Sequence, residues 1–158
     1  MNQILMVCTA NICRSPVAEA LLRKRLQEHN YHDWQVSSAG TWAQVQRRAS
    51  QYSQEVIMEQ DALDISNHQA QMVTAELLAD QDLILCMESG HAEALRAEFP
   101  TQAHKIHMLS QMVNNRRFNI SDPYGGPKNG YEMMITQVRD LIDRGFPRII
   151  ELVQQEMA

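Results

Sequence analysis

Cys8 and Arg14 lie six residues apart in the stretch Cys8-Thr9-Ala10-Asn11-Ile12-Cys13-Arg14-Ser15. The pairing sets a nucleophilic sulfur beside a planar cation. A short loop wrapped at a helix N-terminus turns several backbone N–H groups inward, and these donors with the helix dipole make an anion site. The same field favours thiolate over thiol, and thiolate is the form that attacks. Arg14 offers a fork that can bind two oxygens of a phosphoryl group, and the Ser15 hydroxyl is placed to donate to the sulfur. Asn11 is one of the few non-glycine residues that tolerate a left-handed conformation. Taken alone, the spacing fits two readings. Either this is an ordinary strand-to-helix turn with a buried cysteine and a surface arginine, or it is a cup that holds an anion against a sulfur.

The flanking pattern favours the cup. Residues 3–8, QILMVC, form a short apolar run with the character of a buried strand. Val17, Ala18, Leu21, Leu22 and Leu26 then recur at helical spacing, with Ser15 as a candidate cap, Pro16 at the first position and Glu19 near the positive end of the dipole. Further strands are expected at 34–40, 82–87 and 105–109, and helices at 52–60, 74–79 and 90–98. Residues 110–130 read as loop, and 131–155 as a helix bent or broken at Gly145 and Pro147. Strands alternating with helices predict a single α/β domain over 1–158, a parallel sheet with helices on both faces. In such sheets ligands bind beyond the carboxyl ends of the strands, where Cys8 stands.

Composition narrows the classes of function. Hydrophobic residues make up 44% of the chain and charged residues 21%, the balance of a globular protein. The net charge of −5 argues against nucleic acid or an anionic membrane held by bulk charge, so an anionic substrate needs a local site. No apolar run reaches the length of a membrane span, and Ile4 to Val7 has neither the basic flank nor the length of a signal peptide. Three cysteines without framework spacing point to a reducing, cytoplasmic setting. No metal site is expected, because His104 and His107 have no carboxylate or cysteine close in sequence. A Gly-Lys-Ser/Thr nucleotide loop is absent. Nothing in the sequence sets an oligomeric state.

Val7-Cys8-Thr9-Ala10-Asn11-Ile12-Cys13-Arg14-Ser15-Pro16 resembles the signature of the low-molecular-weight protein tyrosine phosphatases, bacterial branch. The likeness continues through Ser38-Ala39-Gly40-Thr41 and Asp82-Leu83-Ile84-Leu85-Cys86-Met87 to Asp122-Pro123-Tyr124. It implies a four-stranded parallel sheet with helices on both faces. It also implies hydrolysis of protein phosphotyrosine through a cysteinyl phosphate, with no cofactor. By that resemblance Cys8 is the nucleophile, Arg14 and the loop amides of Thr9, Ala10, Asn11, Ile12 and Cys13 hold the phosphoryl oxygens, and Asp122 is the general acid and base. Spacing alone does not find Asp122: by itself, DPYGGP reads as a plain turn. Asn11, Ser38 and His68 match positions that hold the loop in shape. Ile12, Trp42 and Tyr124 match or flank the substrate pocket, with an exposed loop residue as the alternative for Trp42. Cys13 is placed to trap an oxidised Cys8 as a reversible disulfide. The implied partner is a phosphotyrosine-bearing protein, bacterial tyrosine kinases being one class.

Several features depart from the family pattern. Ala10 stands where the family usually has glycine, which would strain the loop if that position needs positive φ. Tyr124 is followed by Gly125, so the second tyrosine of eukaryotic members is absent. Arg47 and Arg48 read more simply as a solvated charge pair than as readers of acidic flanks. Arsenate reduction needs two further redox cysteines, a pair separated by six residues, and Cys86 has Glu93 at that spacing. Relatives that hydrolyse phosphoarginine have threonine where this chain has Ile12, which favours a flat aryl ester here. An anion-binding module without turnover is the non-enzyme alternative, with Ala10 as its only support.

Overall fold

A computed structural model describes residues 1–157. Four strands, β1 (Gln3–Cys8), β2 (Gln35–Gly40), β3 (Leu83–Cys86) and β4 (Ile106–Met108), form one sheet in the order β2-β1-β3-β4. Every pairing is parallel, with Cys8 opposite Gly40 and Val7 opposite Cys86. The helices are α1 (Arg14–Glu28), α2 (Gln51–Asp61), α3 (Ala75–Ala79), α4 (Ser89–Glu98) and α5 (Lys128–Met157). Short 3-10 segments cover Pro100–Lys105 and Leu109–Met112.

The two-residue period of β1 sorts its side chains between two apolar layers. Ile4, Met6 and Cys8 join the larger core with residues of α1, α2 and α5, whereas Leu5 and Val7 join the smaller one with Leu78, Ala92 and Leu95 of α3 and α4. Burial on both faces explains why the central strands read as unbroken apolar runs.

Two local expectations differ from the structure. Helix α1 starts at Arg14, and no side chain caps it. Ser15 therefore lies inside the first turn, where its hydroxyl is committed elsewhere, and Glu19 stands beyond that turn. The last helix runs unbroken from Lys128 to Met157 across Gly145 and Pro147. Pro147 is on the exposed face, so the carbonyl it cannot serve remains open to water. Gly145 is buried against the Leu109–Met112 turn, and a Cβ there would come within 2.6 Å of Met112 Cβ.

Gly40, at the carboxyl end of β2, matters more for the loop after β1. A Cβ at this position would lie 2.4 Å from the Thr9 carbonyl oxygen and 3.1 Å from the Ala10 carbonyl carbon. Both are backbone atoms, so the loop itself would have to move. Gly40→Ala is expected to lower stability by about 1–3 kcal/mol, the usual cost of overpacking, and to depress oxyanion affinity with it. Urea unfolding and tungstate titration check this, and wild-type values in both would show that the loop has slack.

Candidate active site

The loop from Thr9 to Cys13 is shaped around Asn11. Its φ is 59°, in the left-handed region, and its side chain is fully buried with all polar atoms used. Asn11 Nδ2 donates to Ser15 Oγ at 2.7 Å and Ser38 Oγ at 2.9 Å, while Oδ1 accepts the Gln71 N–H at 3.0 Å. His68 Nε2 donates to the Asn11 carbonyl at 2.6 Å, and Ser38 Oγ donates to Glu19 Oε1 at 2.8 Å. The loop thus receives its conformation from three other segments, the start of α1, β2 and the stretch 68–71. Ala10 is outside the left-handed region, so its Cβ carries no backbone strain.

Cys8 Sγ lies 2.9 Å from Ser15 Oγ. Because that oxygen already accepts from Asn11, the hydroxyl proton is free to point at the sulfur. Arg14 is 1% exposed. Its Nη1 donates to Glu88 Oε2 at 2.6 Å and to the Ile120 carbonyl at 2.7 Å. Nη2 lies 3.6 Å from Asp122 Oδ2, and Nε is buried without a partner. One edge of the guanidinium is therefore anchored in protein, and the Nε–Nη2 edge is left for a bidentate anion. Asp122 Oδ1 accepts the Tyr124 N–H at 3.1 Å, a turn that holds the carboxylate beside Arg14.

Cys8, Thr9, Ala10, Ile12, Cys13, Arg14, Arg47, Asp122 and Tyr124 enclose a cavity of about 170 Å³. A larger hollow of about 870 Å³ lies against β4 and α5, but three of its four arginines are already held, by Ile106 O, Asp140 and Glu151. The small cavity is the one with a nucleophile. Cys13 Sγ is 3.7 Å from Tyr131 Oη, and burial raises its pKa. Cys86 is pushed up to about 12 by complete burial, an inert core thiol.

Of the residues singled out in the sequence, Cys8 through Ser15, Ser38, His68, Asp122 and Tyr124 come together here. Trp42 does not: it is 83% exposed and lines no part of the cavity. Only its backbone N–H takes part, donating to the Thr9 carbonyl at 2.9 Å. Arg47, read from sequence as half of a solvated pair, stands on the rim instead. Its guanidinium lies 5.5 Å from the Tyr124 ring centroid, and Nη2 donates to Tyr124 Oη at 3.1 Å. Glu88, Gln71 and His91 are not legible in the sequence as site residues, since no local pattern marks them.

His91 is 6% exposed and holds no proton charge near neutrality: burial and the neighbouring Arg14 lower its pKa from 6.5 to about 4. The unfolded chain takes up that proton as pH falls through 6.5, and the folded chain takes it up only near 4. Stability is therefore fully present above pH 6.5 and declines from there to about pH 4. His107, lowered by burial and then by Arg96 and Arg148, adds a loss of the same sign. Urea midpoints between these limits are expected to fall with pH, and to fall less in His91→Gln. An equal fall in both proteins would remove His91 as a source.

The sequence matches the family "Low molecular weight phosphotyrosine protein phosphatase" over residues 3–158, and the chain belongs to that family of phosphoric monoester hydrolases. It is 35% identical over 149 residues to a probable low molecular weight protein-tyrosine-phosphatase, EpsP, of Ralstonia nicotianae, covering 94% of this chain and 97% of that one. It is also 31% identical to a protein-arginine-phosphatase of Bacillus subtilis, covering 88% and 91%. The crystal structure of a low molecular weight protein tyrosine phosphatase from T. tengcongensis superposes with a TM-score of 0.88 at 32% identity, covering 94% and 99%. The fold expected from the resemblance, four parallel strands with helices on both faces, is the fold observed. No helix among the described residues is long and apolar enough to cross a membrane.

Proposed function

We propose that the chain hydrolyses phosphotyrosine in proteins through a cysteinyl phosphate, one domain over 1–158 carrying the whole reaction. The observation that carries this reading is Cys8 Sγ on the floor of a small cavity, beside an arginine whose Nε is unpartnered and a carboxylate 3.6 Å from its Nη2. The thiolate attacks phosphorus in line with the departing phenolate, forming S–P as P–O breaks. Arg14 through Nε and Nη2, with the amides of Thr9 to Arg14, takes up charge on the three equatorial oxygens. Asp122 gives its proton to the leaving oxygen and then takes one from the water that attacks phosphorus, forming O–P as S–P breaks. Ser15 donates to the sulfur as it leaves as thiolate. Asn11, Ser38 and His68 hold the loop, and no metal or cofactor enters a step.

The apolar Ile12 side chain and the Tyr124 ring support an aryl ester over phosphoarginine, whose guanidinium would lack a polar partner at Ile12. Substrates on this reading are proteins with exposed phosphotyrosine, a bacterial tyrosine kinase among them. The three unpaired thiols support a cytoplasmic setting, and Cys13 can close a reversible disulfide on an oxidised Cys8. The test is phosphate release from matched phosphotyrosine and phosphoarginine peptides, with chelator and reductant present. Preference for phosphotyrosine is expected. Preference for phosphoarginine would keep the cysteine chemistry and overturn the substrate.

A further inference from the structure

The side chain of Thr9, next to the nucleophile, bonds to a residue of α4. Its Oγ1 lies 2.9 Å from His91 Nε2. The other ring nitrogen, Nδ1, accepts the Glu88 backbone N–H at 3.1 Å. A nitrogen that accepts carries no proton, so the ring proton sits on Nε2 and is donated to Thr9. His91 returns a second contact through its backbone N–H, which donates to the Glu88 side chain in a capping box. That same carboxylate holds Arg14 Nη1 at 2.6 Å. One residue therefore joins both arms of the cup: its ring bonds to Thr9, beside the sulfur, and to the backbone of Glu88, and its main chain meets the carboxylate that anchors the guanidinium.

We infer that His91 is a positioning residue, a neutral imidazole that braces Thr9 against the Glu88–Arg14 pair and keeps sulfur and guanidinium at one separation through turnover. This rests on the phosphatase reading. The groups facing the ring are Thr9 from the loop, Arg14 from α1, Glu88 from its own cap and Asp122 from the loop before α5. Protonation would set an N–H at Nδ1 against the Glu88 N–H and a second cation beside Arg14. The network therefore holds together only with neutral His91. Thr9 is also tied through its carbonyl to the Trp42 N–H at 2.9 Å, so removing the imidazole frees one end of the residue rather than unfolding the loop. A histidine that merely capped α4 would affect stability and leave the chemical step alone. A brace would be seen in kcat.

The test compares His91→Ala, His91→Gln, Thr9→Val and the Thr9→Val/His91→Ala double variant. It reads kcat and KM on phenyl phosphate, tungstate affinity and the thermal midpoint. Glutamine at the third helical position can accept the Glu88 N–H and still reach Thr9 with its amide donor. His91→Ala and Thr9→Val are each expected to lower kcat about 10- to 100-fold with KM little changed, the scale of a misplacement near 1 Å. The double variant should be no worse than the weaker single, and His91→Gln should regain most of the rate. Wild-type kcat in His91→Ala with only a lower midpoint overturns the inference, as do losses that multiply. Should His91→Ala not fold, Thr9→Val leaves the helix cap intact, and an unchanged kcat there overturns it equally. A wild type that binds tungstate but shows no turnover sinks the phosphatase reading instead, and tungstate affinities of the variants then decide whether the brace shapes the cup.

Discussion

Cys8→Ser is expected to stop turnover of aryl phosphates, by about four orders of magnitude or more, while oxyanion binding stays within a few-fold of wild type. The loss is large because the serine hydroxyl is not ionised at neutral pH, so the first covalent step has no nucleophile, and removing such a group costs on this scale in other covalent enzymes. Binding survives because the anion is held by other groups. Arg14 remains anchored to Glu88 and the Ile120 carbonyl, and Asn11 still shapes the loop through Ser15, Ser38 and Gln71. The hydroxyl introduced by the substitution would take the place of the sulfur as the partner of Ser15 Oγ. Steady-state phosphate release and tungstate titration on the same preparation separate the two effects. Residual turnover near wild type would exclude the cysteinyl phosphate. Loss of tungstate binding would mean that the sulfur, not the arginine and amides, organises the cup.

Asp122→Asn carries the second large effect, a fall in turnover of about 10²–10⁴-fold on esters of poorly acidic phenols. The amide keeps the size of the side chain, and its Oδ1 can still accept the Tyr124 N–H, so the loop before α5 should hold its shape. It lacks the proton that the leaving oxygen needs. The penalty must therefore shrink as the phenol becomes more acidic, since a good leaving group departs without help. A series of substituted phenyl phosphates reads this as a steeper dependence of rate on leaving-group acidity. Equal losses across the series would sink the general-acid role and leave Asp122 as a charge near Arg14, 3.6 Å away.

The cup itself is legible in the sequence because its parts are local. Strand, loop and helix follow one another within Gln3 to Glu28, and an N–H-lined turn at a helix start needs no distant residue to be recognised. Asn11 in the left-handed region follows from its own side-chain chemistry. The alternation that makes a parallel sheet is likewise carried by short apolar runs, and it places all four strands to within a residue or two. Even there, Ser15 and Pro147 depart from expectation, because propensity describes what a residue prefers in isolation. Ser15 gives up its cap to bond with Cys8 and Asn11, and Pro147 is tolerated because its face of α5 meets water.

The rest is decided by tertiary structure, for a physical reason. Side-chain hydrogen bonds between distant segments leave no periodicity in the chain. Asn11 meets Ser38 across 27 positions, His68 across 57 and Gln71 across 60, and Arg14 meets Glu88 across 74. Thr9 meets His91 across 82. The choice of Arg47 over Trp42 at the cavity rim is of the same kind, because both lie in one irregular stretch after β2 and only its packing tells which side chain turns inward. By itself the sequence determined the class of sheet and the strand, loop and helix that bring Cys8 and Arg14 together, all written in neighbouring residues. The fold alone decided what braces the cup, what carboxylate faces it and what walls it, since each depends on chain segments that meet only when the apolar faces of the sheet are buried.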